Sequence, residues 1–378
     1  MTKNLIAIYD FEIFPYALGD VLTWNIRTAI RCEETGSPFV DIYICLDERY
    51  HASIYQRGLI NLENYELFFS ELYSAFVTNP KLGNFYIFRN RESMIEQLKK
   101  IAPKNKYNLE ALNDYLSILK HKASDKFFNK IWNFFKNKLD NHKILAKVYR
   151  HLVPKIAKKV AHNMLSHEDV LNQYFIKYIY SHDKINQFYL NKGYIPFLKE
   201  SLGCNPDVNE IISRQFNGKK IVPIHLRLRR LDMGYGGEHT YVRDSDFLEW
   251  YDFLREAGEK YPDVQFVALG RLQEKPLNIL RLPNVTSLRV HGMGLGHELT
   301  LMLKSDLFIG TSSGFAALAN FSSIPYFITR MNPESCNAYA ITQGESRLPF
   351  AKENQQLIYE EENAQMLMKL LEAGFFHF

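Results

Sequence analysis

The sequence predicts an α/β protein of two doubly wound halves, each a parallel sheet flanked by helices, with an α-helical insertion in the N-terminal half. Three observations carry this. Short β-branched or aromatic runs alternate with helical-period segments at both ends of the chain. Between about Asn108 and Ser201 the strand signals thin out, and Lys- and aromatic-rich segments of helical period follow one another. The length, 378 residues, exceeds one ordinary core and suits two domains.

Residues 4–9 (NLIAIY) are expected as a buried first strand. DVLTWNIRTAIRCEETG (20–36) places Val21, Leu22, Trp24, Ile26, Ala29 and Ile30 on one helical face that stops at Gly36. VDIYICLDE (40–48) and NFYIFR (84–89) are further strands, and ESMIEQLKKIA (92–102) is a helix. The middle keeps helical spacing, with Pro154 as a break or kink. Residues 203–220 read as a hinge. The alternation then resumes with a strand at 220–227, a helix at 245–262, strands at 264–270 and 285–291, and a helix at 297–306. An apolar run at 307–309 ends at Gly310, residues 325–329 supply the next parallel strand, and NAQMLMKLLEAGFF forms a closing amphipathic helix. The divisions are residues 1–105, a helical insertion at 106–202, residues 203–345, and a helical tail at 346–378, for which a crossing back to the first half is one option. Two such halves leave a cleft between the carboxyl ends of their sheets, where open parallel sheets bind ligands.

Composition narrows the classes. At 46% hydrophobic and 23% charged, the profile is that of a folded, soluble chain. Cys32, Cys45, Cys204 and Cys336 are scattered with no C-x-x-C pair, which argues against a zinc or disulfide framework and fits a reducing cytoplasm. The N-terminal apolar stretch is interrupted by Asp10 and is not a signal peptide, and no uninterrupted apolar run is long enough to span a membrane. The net charge of +4 is unevenly spread, since Lys120 to Lys159 holds twelve Lys/Arg against two Asp. That block is either a solvated helical face or a surface for something negative, such as anionic membrane lipid.

Four segments carry candidate chemistry. In SDLFIGTSSGFAALANFSSIPYFITR (305–330), a strand gives way at Thr311, Ser312, Ser313 and Gly314 to a helix. That order offers free N–H groups and the positive end of a helix dipole to an anion, unless Ser312 or Ser313 merely caps the helix. In Tyr16–Leu22, Gly19 permits a close approach. Asp20, as a carboxylate beyond the first strand, is either a helix-start residue or a general base, and Asp10 and Glu12 compete for the same role. His225-Leu226-Arg227-Leu228-Arg229-Arg230 ends a strand with three forked cations suited to phosphate oxygens, or with loop charges pairing Asp232, Asp244 or Asp246; the Gly-rich loop beyond is a candidate lid. His291 to Glu298 contains Gly292, Gly294 and Gly296 without the full dinucleotide fingerprint. There His297 is a helix-start residue or a hydrogen-bond donor to ligand, and no ligand spacing supports a metal.

These segments resemble GT-B glycosyltransferases of two kinds. ALGDVLTWNIRTAI resembles the G-D-V-L segment of the ADP-heptose lipopolysaccharide heptosyltransferases, whose Asp is placed as base; here it is Asp20. DLFIGTSSGFAALA resembles that family's V-G-x-D-T-G-x-x-H-L-A-A segment, which grips the donor diphosphate, with Thr311, Ser312, Ser313 and Gly314 at the matching positions. The family's Asp is Ser312 here and its His is Ala316, so donor identity does not carry over. IHLRLRRLD is similar to the H-x-R-R/H segment of the α1,6- and protein O-fucosyltransferases, where an Arg holds the β-phosphate of GDP-fucose. By position that Arg is Arg227, with Arg229 or Arg230 assisting.

The resemblance implies an inverting, metal-independent sugar transferase. Its nucleotide-sugar donor would lie on residues 203–345, on His225, Arg227, Arg229, Arg230, Gly292, Gly294, His297 and Thr311–Gly314. Its glycan or lipid-linked glycan acceptor would face residues 1–105, and Asp20 would take the proton. The expectation includes no cofactor, no nucleic-acid partner, and a cytoplasmic location with an option of peripheral attachment at the inner face of the membrane. The competing readings are a nucleotide-sugar epimerase or hydrolase, a pyruvyl transferase, or a non-catalytic glycan- or nucleic-acid-binding protein using the basic helices.

Overall fold

The computed structural model describes residues 4–11, 13, 14, 17–47, 65–120, 182–227, 243–333, 336 and 339–376. Glu12, Arg229, Arg230, the candidate lid and all of the basic block beyond Lys120 lie outside the described residues.

In the N-terminal half, β1 (Leu5–Asp10) is buried along its whole length. The helix α1 (Leu18–Thr35) ends at Gly36, whose φ of 66° supplies the left-handed cap that the sequence marks. β2 (Val40–Cys45), α2 (Tyr65–Phe76), β3 (Leu82–Phe88), α3 (Arg91–Ile101) and α4 (residues 106–120) follow. The three strands are parallel in the order β1-β2-β3. α2 was not among the expected elements.

α5 (His182–Lys192) follows and packs on α1. The C-terminal half contains α6 (Asn205–Gln215), β4 (Lys220–His225), α7 (Phe247–Lys260), β5 (Val264–Ala268), β6 (Val285–Thr286), α8 (Leu295–Leu303), β7 (Phe308–Thr311), α9 (Gly314–Asn320), β8 (Tyr326–Thr329), β9 (Gln355–Leu357) and α10 (Ala364–Phe376). Its sheet runs β6-β5-β4-β7-β8-β9, all parallel. This is the doubly wound order of dinucleotide-binding sheets, third-second-first-fourth-fifth-sixth.

Within residues 203–220, read as a hinge, Asn205–Gln215 form α6 with a proline in its first turn. Two expectations are corrected. The strand expected at 285–291 stops after two residues, where Ser287 accepts from the Arg289 N–H (3.4 Å) and starts a 3-10 turn at Leu288–His291. The tail is not purely helical, since β9 completes the sheet, and α10 docks on its own half instead of crossing back. There Glu372 accepts from Lys260 Nζ (2.6 Å) and the Tyr261 hydroxyl (2.7 Å). Gly374 lies so close to Leu307 that a Cβ would sit 2.6 Å from Leu307 Cδ2.

The halves are joined by helices packed through glycine. A Cβ on Gly314 of α9 would stand 2.8 Å from Leu18 Cβ and 3.2 Å from the Gly19 nitrogen of α1. A Cβ on Gly296 of α8 would stand 3.0 Å from Ser74 Cβ of α2 and 2.9 Å from Cys204 Sγ. An extended strap adds two backbone bonds, Lys199 N–H to Thr78 O and Leu198 N–H to Phe321 O, both 2.9 Å. One buried cluster therefore runs from Leu5, Trp24 and Phe76 through Leu299 and Phe315 to Tyr326, while a second fills the space between the C-terminal sheet, α7 and α10.

Candidate functional site

In the C-terminal sheet β4 leads away to β5 on one side and β7 leads away to β8 on the other. The crevice opens where these connections diverge, at the carboxyl ends of β4 and β7. His225 and Gly310 are register partners there. Two of the four candidate segments thus meet at one point: Arg227 just past β4, and Thr311 to Gly314 at the end of β7.

Gly310 lets β7 lie close to β4, since a Cβ would stand 3.0 Å from both the N and the O of His225. The His225 ring packs on Phe315 (centroids 4.9 Å apart), and its Nδ1 is shielded from solvent without a hydrogen-bond partner among the described residues. The residue retains some accessible surface, yet protein surrounds the ring. This burial, with the charges of Lys275 and Arg227, pushes its pKa down to about 3. His225 is therefore a neutral imidazole at physiological pH. Arg227 is clasped by its backbone to Ser245, donating to Ser245 Oγ (3.0 Å) and accepting from the Ser245 N–H (2.8 Å). Its guanidinium stands 3.9 Å from Asp244 Oδ1, a loose ion pair at a half-buried position.

Ser313 occupies the N-cap position of α9, but its hydroxyl caps nothing. Ser313 Oγ and Thr311 Oγ1 are both shielded from solvent without a hydrogen-bond partner among the described residues. Such groups are uncommon in folded interiors and ask for a partner. Ser312 donates its N–H to Thr329 O (3.1 Å), and its side chain faces the Tyr339 hydroxyl beside Asn320. Burial raises the Tyr339 pKa, so the phenol stays protonated.

Asp20 is the third residue of α1. Ala17, not Asp20, is the N-cap, and Asp20 is half-buried. Through the contact of Gly19 with Gly314, it stands beside the turn that ends β7. Asp10 is placed otherwise. It is 1% exposed, with Arg91 Nε 2.7 Å from Oδ2, Arg91 Nη2 2.9 Å from Oδ1, and the Tyr115 hydroxyl donating to Oδ2 (2.6 Å). A carboxylate this buried, held by Arg91 of α3 and Tyr115 of α4, ties β1 to both helices.

His297 has both ring nitrogens engaged: Nδ1 accepts from the Gly294 N–H (3.2 Å), and Nε2 lies 3.1 Å from Asp207 Oδ2 of α6. It serves as the helix-start residue of α8. Gly292, at φ 74°, closes the preceding turn. Its neighbour Glu298 has greater weight than sequence reasoning gave it. Glu298 is 0% exposed, accepts from the Gly270 N–H (3.0 Å), and holds Arg289 Nη2 at 2.9 Å. Arg289 Nη1 also bonds Glu71 of α2, and Lys275 Nζ donates to the Gly270 carbonyl. Burial raises the Glu298 pKa against the pull of Arg289, and burial lowers Lys275 to about 8. The one signal for this cluster was an acidic residue inside the otherwise apolar helix HELTLML.

The architecture, two Rossmann-like lobes of parallel sheet flanked by helices, is the GT-B type. A solved structure with this fold is the ADP-heptose LPS heptosyltransferase II of E. coli, at a TM-score of 0.50 and 10% identity, covering 99% of this chain and 99% of that one. Also similar are a glycosyl transferase family 9 protein from Veillonella parvula (TM-score 0.46, 11% identity, 100% and 99% covered) and a UDP-N-acetylglucosamine 2-epimerase-like structure from Listeria monocytogenes (0.33, 11%, 98% and 87%). No protein-family model matches the sequence, and neither does any curated protein. At such identities the likeness concerns the fold.

Proposed function

We propose that the chain is a glycosyltransferase that moves a sugar from a nucleotide-diphosphate donor to a hydroxyl of a glycan or glycolipid, with inversion and without a metal. The observation that supports this reading is the contact of Gly19 with Gly314, which brings the start of α1, where Asp20 lies, against the turn that ends β7. The donor diphosphate would lie in the β4/β7 crevice, met by Arg227 and by the hydroxyls of Thr311 and Ser313. These contacts strengthen as the leaving diphosphate gains charge, which is where electrostatic stabilisation lowers a barrier. Asp20 would remove the acceptor proton as its oxygen attacks the anomeric carbon from the face opposite the leaving group. His225, neutral, orients without competing for that proton.

The E. coli structure that shares the fold has ADP-heptose in its name, which supports an activated sugar as donor. Ser312 and Ala316, where the heptosyltransferase segment has Asp and His, leave the sugar and nucleotide open. A lipid-linked acceptor at the inner membrane face fits the basic block at 120–159, and among the described residues no helix is long and apolar enough to cross a membrane.

Asp20→Asn is expected to lower transfer by about a thousandfold, while calorimetry shows nucleoside-diphosphate affinity unchanged. Arg227→Ala is expected to weaken that affinity by about tenfold to a hundredfold. An Asp20→Asn enzyme that still transfers sugar, or an Arg227→Ala protein of unaltered affinity, removes the respective residue from the mechanism.

A further inference from the structure

A chain of polar contacts links the N-terminal half to the floor of the crevice. Its first link is Glu71 on α2, which pairs with Arg289 Nη1 across the junction of the halves. Arg289 Nη2 holds Glu298 Oε2 at 2.9 Å, and Glu298 Oε1 accepts from the Gly270 N–H at 3.0 Å. Gly270 follows β5 at φ 99°, a conformation that side chains rarely adopt, and a Cβ there would lie 3.7 Å from His225 Nε2. Its carbonyl takes Lys275 Nζ, which fixes the loop beyond β5.

Exposed ion pairs contribute little, because water already solvates both partners. This case differs, since one planar guanidinium is divided between a half-buried carboxylate in one half and a fully buried one in the other. Only a forked cation can meet both with separate nitrogens, and a lysine ammonium cannot reproduce that geometry. The adjacent packing is also tight, as Gly296 of α8 abuts Ser74 of α2 one turn from Glu71.

We propose that Arg289 is a positioning residue that couples the docking of α2 to the shape of the crevice, acting through Glu298 on the Gly270–Lys275 loop. Glu298 is the fixed end of the fork and Glu71 the releasable end. Losing Glu71 leaves Arg289 free to follow Glu298, and the Gly270 loop relaxes with it. The consequence for donor binding rests on the function proposed above; the coupling itself does not.

Hydrogen–deuterium exchange on the full chain tests it, with the Gly270 amide as reporter. Glu71→Gln is expected to speed exchange at Gly270 and its loop about tenfold, although the substitution sits in the other half. Arg289→Lys is expected to do the same, whereas a residue that merely fills a buried charge would be rescued by lysine. Glu210→Gln, which cuts the exposed Arg214 pair on α6, serves as control and is expected to change nothing at Gly270. Both variants are also expected to weaken binding of ADP or GDP, measured by calorimetry with each nucleotide alone. Unchanged exchange at Gly270 in both Glu71→Gln and Arg289→Lys overturns the coupling. A wild-type protein that binds none of ADP, GDP, UDP, CDP and TDP, each tested alone, but whose loop exchange responds as described, leaves the coupling standing and sinks the donor reading instead.

Discussion

Asp10 ends β1 and Asp20 lies in the first turn of α1 just after it, and the sequence alone gives each a claim to the same chemistry. Their surroundings separate them. Asp10 is enclosed by a bidentate Arg91 and the Tyr115 hydroxyl, so its charge is committed to holding β1 against α3 and α4. Removing one partner of a buried pair leaves the other uncompensated, and Asp10→Asn is expected to cost about 3–5 kcal/mol in urea unfolding. Asp20, half-buried in the first turn of α1, is expected to be nearly neutral for stability when changed to Asn. An Asp10→Asn protein as stable as wild type would show that Arg91 finds its compensation elsewhere. Distinguishing the two needed tertiary structure, because Arg91 and Tyr115 are 81 and 105 residues from Asp10 in the chain.

Helices meet at glycines, and here the sequence was partly informative. The strand–small residue–helix pattern around Gly310 to Gly314 located β7 and α9, and the G-D-V-L pattern located the start of α1. Neither disclosed that the two helix starts touch, since sheet order and helix packing depend on partners that no local pattern names. The same holds for α2, whose Glu71 lies 218 residues from Arg289. The over-long strand at 285–291 failed for a local reason: apolar spacing continued past Ser287, which turned the chain by capping a 3-10 turn. The glycine contact is testable at this scale. Gly314→Ala would press a methyl 2.8 Å from Leu18 Cβ and 3.2 Å from the Gly19 backbone, where a neighbour cannot yield by rotating a side chain. It is expected to lower stability by about 1–3 kcal/mol and to reduce transfer. Gly203→Ala, with no atom of the described residues within 4 Å of the added methyl, is the control expected to stay within about 0.5 kcal/mol.

Across the whole molecule, one buried cluster passes from the N-terminal sheet through α1, α2, α8 and α9 to the C-terminal sheet. The halves resemble two domains in topology but share an interior, and calorimetry is expected to show a single cooperative unfolding transition. Two resolved transitions would mean that each sheet keeps its own core. This shared interior also bears on how the molecule can move. Where Gly19 meets Gly314 the backbones are already at contact distance, so nothing is left to compress along that line. A swing of one lobe over the other would then pivot there, as on a fulcrum, with displacement growing toward the far rims and smallest at the start of α1.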